Sequence, residues 1–409
     1  MANTIKLGNG NWATKEGSLL AYNDENNNFK PLPFTTTRAS SASVVNKQGL
    51  IETVGSGIPR IDFSDDANGA LLLEPTATNS ILYSEDFSNA AWTTLASGET
   101  VAINSVISPD GTLNADTLEG DGTATNVYLR NDITLSTSVD YTFSIFAKKG
   151  TNDFLAISAA GFTGSTNTDV TFDLNNSVVT GGIGNIENYG NGWLKCSYTI
   201  AISTDGVGRF LIYSSYSGTV KSFPTSADAI GKNIYLFGAS LEENSYASSY
   251  IKTVGTTQTR VADTANGAGN STVINSSEGV LYAEMKNDIV QNQTISLRQG
   301  TTDSVQLGLI NGNIRCAIVS NNSAVLDTST FAYNNGLINK YAIVWNGTNA
   351  KTFINGQLTN TITTPSPLNL DSLDFQNPAL AENIVGKIKS VQVYTTALSD
   401  AELTSLTTI

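Results

Sequence analysis

Histidine is absent from this 409-residue chain. That single absence removes Ser-His-Asp and Cys-His nucleophile systems, histidine general bases and histidine-ligated metals. Cysteine is scarce as well, with only Cys196 and Cys316. The pattern below assigns them to different domains, where a disulfide would need a domain contact. A lone thiol in each core is the expectation, with no disulfide framework and no zinc site. Charged residues make up only 14% of the chain, and the formal net charge is −14. Phosphate binding needs clustered lysine and arginine, which the sequence lacks, so nucleic acid is not an expected partner. An anionic membrane surface would repel the chain. The acidity suits a multi-copy assembly kept in solution by like charge. No apolar run approaches the roughly 20 residues of a membrane span. The opening, Met1-Ala2-Asn3-Thr4-Ile5-Lys6-Leu7-Gly8, lacks the apolar region of a secretory signal. No glycine-rich phosphate loop links a strand to a helix.

What the chain does contain is threonine, serine, asparagine and glycine in place of charge. A surface solvated by hydroxyls and amides suits strands and turns. At roughly 150 residues per domain, the length implies two or three domains. Residues 1–36 are polar, with the run Asn23-Asp24-Glu25-Asn26-Asn27-Asn28. Trp12, Leu19, Leu20, Tyr22 and Phe29 are too few for a core, so this segment must pack on something else or remain a loose terminus. Residues 37–82 hold short β-like runs and the apolar Ala70-Leu71-Leu72-Leu73, a connector expected to pack on the next domain. Residues 83–250 carry repeated strands, among them Tyr141–Ala147, Leu194–Ile202 and Asn233–Leu241, in the spacing of a jelly roll. Residues 251–270 read as a Thr/Gly/Ala linker. Residues 271–409 form a last β unit, in which Asn311-Gly312 and Asn355-Gly356 signal hairpins. The capping box Ser399-Asp400-Ala401-Glu402 opens one short helix, expected to cover a sandwich edge.

Carboxylates are the remaining catalytic candidates. Retaining glycosidases of sandwich type align acidic residues on one strand face. Here Glu284 has Tyr282 and Lys286 as same-face neighbours, and the consecutive Glu242 and Glu243 face opposite ways. No catalytic residue is assigned. The stretch Asp62-Phe63-Ser64-Asp65-Asp66-Ala67-Asn68-Gly69 resembles a calcium loop only superficially. Aligned on its glycine, it offers Ser64 and Pro75 where the first and twelfth EF-hand ligands belong. It reads as a tight acidic turn. No metal ligand or cofactor is assigned, and an oxygen-ligated structural calcium elsewhere stays open. Tyr128, Tyr213 and Tyr216 are the candidate glycan contacts, with core packing as the competing reading. Trp92, Trp193 and Trp345 read as core anchors.

Several strings resemble known families. Tyr341-Ala342-Ile343-Val344-Trp345-Asn346-Gly347-Thr348, then Thr352-Phe353-Ile354-Asn355-Gly356-Gln357, resembles the central hairpin of laminin-G/concanavalin A-like domains. The stretch from Gly386 to Tyr394, followed by Ala397–Leu403, resembles their closing signature. The opening Asn79–Trp92 and the closing Ile234–Glu242 are similar to those of carbohydrate-binding-module jelly rolls in phage structural proteins. The segment Arg38–Thr53 and Pro59–Asp62 is similar to the region before that module. The whole layout resembles head-fibre subunits of crAss-like phages. That resemblance implies a homotrimer, anchored to the capsid through residues 1–36 and displayed on the virion surface after synthesis in the bacterial host cytoplasm. No long shaft is present, which favours a compact knob. The sequence-based expectation is therefore an all-β protein: an N-terminal attachment segment, a jelly-roll β-sandwich and a concanavalin-like β-sandwich. Its function would be adhesion to glycans without turnover. Three readings compete with it: a tail-associated receptor-binding protein, a bacterial surface lectin, and a glycosidase with an unrecognised carboxylate pair.

Overall fold

Apolar and aromatic residues alternate with hydroxyl-bearing ones along most of the chain, and strands follow from that period of two. In Asp140–Lys149, Phe143, Ile145 and Ala147 enter one core, while Phe146 packs on the opposite side with Trp193, Phe237 and Tyr250. A computed structural model describes residues 5–8, 12, 14–15, 18–23, 29–93, 97–136, 139–162, 169–286, 291–334, 336–347, 349–363, 368–379 and 382–409. It is nearly all-β, and its one α-helix among the described residues is Asp400–Thr407.

The chain divides into two compact units, each built from separated segments. The first comprises residues 1–41, 54–75 and 261–409. Its larger sheet runs in the order Gln357–Thr363, Asn349–Ile354, Ile338–Trp345, Gly279–Lys286, Gly386–Tyr394, Ala70–Leu73 and Arg60–Asp62. Ile5–Gly8 joins this sheet by pairing with Gly386–Tyr394. The facing sheet runs Ser323–Ala332, Asn313–Ser320, Asp303–Ile310, Gln293–Gln299 and Ser372–Asp374. Leu281, Ile343 and Val391 meet Leu297, Leu307 and Ile318 between them. Ile5, Leu7 and Phe34 are fully buried in the same core. The segment 1–36 looked too poor in apolar groups to fold alone; its strand Ile5–Gly8 joins a sandwich most of whose other strands lie more than 270 residues later. The acidic stretch at 24–28 lies outside the described residues.

Four buried charged side chains tie the segments of this unit together. Arg60 donates to Glu74 Oε2 at 2.6 Å and to Asp263 Oδ2. Arg38 donates to Asp263 Oδ1 at 2.8 Å and to the carbonyls of Gly55 and Ile58. Each cation has a carboxylate, so burial leaves no unmatched charge.

Both Asn-Gly signals are hairpin turns. Asn311 and Gly312 have φ of 49° and 79°, and Asn355 and Gly356 have 48° and 81°, values that these residue types adopt most readily. The helix has its capping box: Ser399 Oγ accepts from Glu402 N and the Glu402 side chain accepts from Ser399 N. It does not cover an edge. Leu403 packs with Val280, Tyr282, Val344 and Phe353. These alternate with the core residues of their strands, so the helix lies on the outer face of the larger sheet. The outer face there is apolar enough to require a cover.

The second unit comprises residues 42–53 and 76–260. Its six-stranded sheet runs Glu99–Ile107, Leu113–Gly120, Asn233–Glu242, Asp140–Lys149, Trp193–Ala201 and Asn185–Asn188. The five-stranded sheet opposite runs Tyr128–Leu135, Gly206–Ser214, Phe154–Ala160, Asp169–Asp173 and Val178–Gly181. Phe143 and Phe210 stack across the core at 5.0 Å. Trp92 and Trp193 in this unit, and Trp345 in the other, are all at most 3% exposed. Cys196 and Cys316 are free, each buried in its own unit's core. The segment expected as a linker is paired backbone: Gln258–Arg260 with Ala77–Asn79 in this unit, and Thr264–Asn266 with Phe29–Thr37 in the first.

Candidate functional site

On the five-stranded sheet of the second unit, inward residues dictate what faces outward. Phe210 and Ile212 enter the core, which turns Arg209, Leu211 and Tyr213 out. Leu129 and Ile133 do the same for Tyr128, Arg130 and Asp132, and Leu155, Ile157 and Ala159 for Ala156, Ser158 and Ala160. Register then sets the rows. Tyr128 is opposite Tyr213, and Tyr213 is opposite Ala156. Arg130, Leu211, Ser158 and Asp169 form the next row, and Asp132, Arg209 and Ala160 the third. Beyond Phe154, the outward residues of Phe154–Ala160 (Ala156, Ser158 and Ala160) are small. Ala156 and Ser158 are buried all the same, because Lys221 reaches Ser158 and Gly218 O accepts from Thr171, so the turn that carries both lies over them; Tyr128, Arg130, Asp132 and Arg209 stay partly or fully open to solvent.

Tyr128 and Tyr213 are brought together, their ring centroids 5.1 Å apart. Tyr213 is only 9% exposed. Its other neighbour is Lys221, whose Nζ stands 4.9 Å from the ring centroid, within cation–π range. Burial, then the Tyr128 and Asp169 side chains, push the Tyr213 phenol up to about 12. Tyr216 goes elsewhere. It is 45% exposed and packs edge-on against Phe223 at 5.8 Å. Its N–H donates to Lys221 O at 3.1 Å, so the turn that carries Tyr216 also delivers Lys221.

Lys221 and the arginines were not singled out in the sequence. The Lys221 ammonium lies 2.6 Å from Asp169 Oδ2 and donates to Ser158 Oγ at 3.1 Å. Arg130 grips Asp132 through Nε and Nη2, both at 2.7 Å. Those hydrogen bonds hold the Asp132 carboxyl below its ordinary range. Arg209 Nε stands 4.0 Å from Asp132 Oδ1. The usable signal was the run Tyr128-Leu129-Arg130-Asn131-Asp132, whose alternation puts one aromatic and two charged groups on the outward face.

The carboxylates weighed for catalysis are occupied singly. Tyr282 donates to Glu284 Oε2 at 3.3 Å, and the cross-strand partners of Glu284 are Lys340 and Ser390. Glu242 is buried and accepts from Ser240 Oγ and Ser248 N, both at 3.3 Å. The acidic turn near Asp62 is matched by lysines. Asp65 meets Lys286 and Lys387, both at 3.0 Å, and Asp66 meets Lys389 at 2.6 Å. Among the described residues no group of three or more cysteine, aspartate or glutamate side chains is placed to hold a metal ion. This lysine–aspartate ladder lines a cavity of about 410 Å³, whose other side carries Leu337, Ile338 and Ile409.

Residues 281–404 match the profile of the concanavalin A-like lectin/glucanases superfamily. The chain therefore contains a concanavalin A-like, laminin G-like domain within its first unit. No curated protein matches the chain. Among solved structures, the CBM40 module of the Ruminococcus gnavus IT-sialidase, bound to α2,3-sialyllactose, is 20% identical with a TM-score of 0.30, covering 35% of this chain and 94% of that one. Domain 4 of a GH43 extracellular arabinanase from Geobacillus stearothermophilus, in complex with arabinotriose, is 15% identical with a TM-score of 0.32, covering 40% and 84%. At such identity the likeness concerns the fold alone.

Proposed function

We propose that this chain is a non-catalytic, glycan-binding display protein, and that it serves as a fibre or decoration subunit on a bacteriophage capsid. The observation that carries glycan binding is the outward face of the five-stranded sheet around Tyr128. There the half-buried Tyr128 ring, beside Arg130 and Asp132, combines an apolar surface for a sugar's CH groups with hydrogen-bonding groups for its hydroxyls. Weak single contacts suffice, because many tethered copies raise the effective ligand concentration to roughly millimolar. The virion role is supported by the resemblance of Asn79–Trp92 and Ile234–Glu242 to carbohydrate-binding-module jelly rolls of phage structural proteins, and by that of the whole layout to head-fibre subunits, which also supports a homotrimer.

An array of immobilised glycans probed with the full chain tests the binding reading. Retention on a restricted set of glycans is expected, and uniform absence of retention would remove it. Mass spectrometry of purified particles from the producing host tests the virion reading. The chain should be present in fixed stoichiometry to the capsid protein. Its recovery only from host envelopes would favour the bacterial surface lectin.

A further inference from the structure

We infer that the cavity beside the lysine–aspartate ladder of the first unit binds a neutral sugar that carries an acetamido group. The inference gives the first unit a site of its own, and it takes from the proposed function only the class of ligand. Strand alternation builds the floor. Leu281, Ala283 and Met285 enter the core, which turns Glu284 and Lys286 outward. Ile338 stands opposite Lys286 on one side and Lys387 on the other. Lys389 is the extra residue of a bulge, since Ser390 is opposite Glu284 and Ile388 is opposite Met285. The bulge brings its side chain to the same cavity. On the other wall, Asn339 is fully buried and donates to the carbonyls of Asn334 and Leu337 at 3.0 and 3.1 Å. That fixes the turn that presents Leu337, which is 63% exposed. Asp62, Asp65, Asp66 and Ala70 lie outside the residues 281–404 that match the superfamily profile, so this wall is an addition to that domain.

The lining decides what fits. Three lysine and three aspartate side chains face the cavity, and Lys387 also stands 3.2 Å from Asp62 Oδ1. The next outward row adds one of each sign, Glu284 and Lys340. With no surplus of either sign, an ion would lose its hydration without a charge to replace it. An uncharged polar group meets donors and acceptors side by side, because ammonium and carboxylate both keep hydrogen-bonding capacity beyond one partner. Leu337, Ile338, Ile409 and the methylene stems of the lysines supply an apolar surface. The volume of about 410 Å³ falls within the roughly 300–1,000 Å³ of small-molecule sites. An acetamido sugar matches both walls. Its amide oxygen accepts from a lysine, its N–H donates to an aspartate, and its methyl group covers the aliphatic side. A sugar with hydroxyls alone leaves that side unfilled.

The test uses three probes with one backbone, titrated into the full chain by calorimetry: N-acetylchitotriose, cellotriose and the cationic de-N-acetylated trimer. The acetylated sugar should bind at least roughly tenfold more tightly than either of the others. Its advantage over cellotriose should hold as salt rises, since neither is charged. Leu337→Asp should erase that advantage without moving the thermal midpoint, and Leu337→Met should keep most of it. Equal binding of acetylated sugar and cellotriose, tighter binding of the cationic trimer, or a preference unchanged in Leu337→Asp would each overturn the inference. If the preference survives Leu337→Asp but is lost in Tyr128→Ala, the sugar sits on the outward face of the second unit; the inference then fails and the proposed function stands. If no glycan of any kind binds, both fail.

Discussion

A tyrosine on a strand serves equally well as core and as sugar platform until its cross-strand neighbours are known. Tyr128 and Tyr213 were legible as candidates because both are aromatic residues on β-prone runs. What the sequence could not reveal is that Lys221, eight residues beyond Tyr213, folds back over its ring. Tyr213 is thereby nearly closed off, while Tyr128 stays half-buried. The cysteines were easier to read, since a thiol flanked by alternating apolar residues has little choice but the core. Burial pushes the Cys316 thiol up to about 12, and burial together with Glu187 raises that of Cys196. The thiolate is the reactive form. Iodoacetamide in mildly alkaline buffer should leave the folded chain unmodified and add two labels after denaturation, as read by intact mass. Stoichiometric labelling of the folded chain would contradict this placement.

At the scale of elements, the hairpins and the capped helix were written locally, in Asn-Gly pairs and in Ser399 and Glu402. Leu113–Gly120 was not. Asn114, Asp116, Glu119 and Gly120 are poor strand formers, yet Leu118 is buried and Asp116 accepts N–H bonds from Phe87 and Asn104 at 3.0 and 2.9 Å. Tertiary contacts override propensity there. The acidic turn between Arg60–Asp62 and Ala70–Leu73 was legible as a turn, but its lysine partners are more than 200 residues away. Burial opposes ionisation of Asp65, but Lys387 and Lys286 outweigh it and hold the carboxyl below its usual range. A hydrogen bond from Lys389 chiefly does the same for Asp66. An aspartate lowered by folding contributes stability above its unfolded value of about 3.9, and that contribution is lost as pH falls through the folded value. The thermal midpoint of the first unit should therefore lose this contribution only below about pH 4. In Asp65→Asn/Asp66→Asn that part of the acid limb should flatten. An acid limb parallel to the wild type's would show that the ladder contributes nothing.

At the scale of the molecule, sequence reading recovered two β-sandwiches but drew them as contiguous stretches. Each unit instead collects separated segments, because short strands such as Ile5–Gly8 and Ala70–Leu73 carry no mark of their distant partner. Residues 1–36 consequently have a structural part to play whatever else they contact. Deleting them would remove Ile5, Leu7 and Phe34 from a core, so cross-linking of intact particles is the sounder probe of attachment. Arg38, Arg60, Glu74 and Asp263 bind the three segments of the first unit into one body. Arg60→Met would take a buried cation away from Glu74 and leave Asp263 with Arg38 and the Glu74 N–H, at a cost of about 3–5 kcal/mol. Denaturant unfolding should show that loss in the transition of the first unit, while the second unit's transition stays in place. A shift below about 1 kcal/mol would show that the network is dispensable.

The function proposed for the second unit is glycan binding on the outward face around Tyr128. Its most direct measurement is calorimetric titration of the full chain with the glycan best retained on the array, for wild type beside Tyr128→Ala. Tyr128→Ala should bind at least roughly tenfold more weakly, with an unchanged thermal midpoint. Undiminished binding by a folded Tyr128→Ala chain would contradict it.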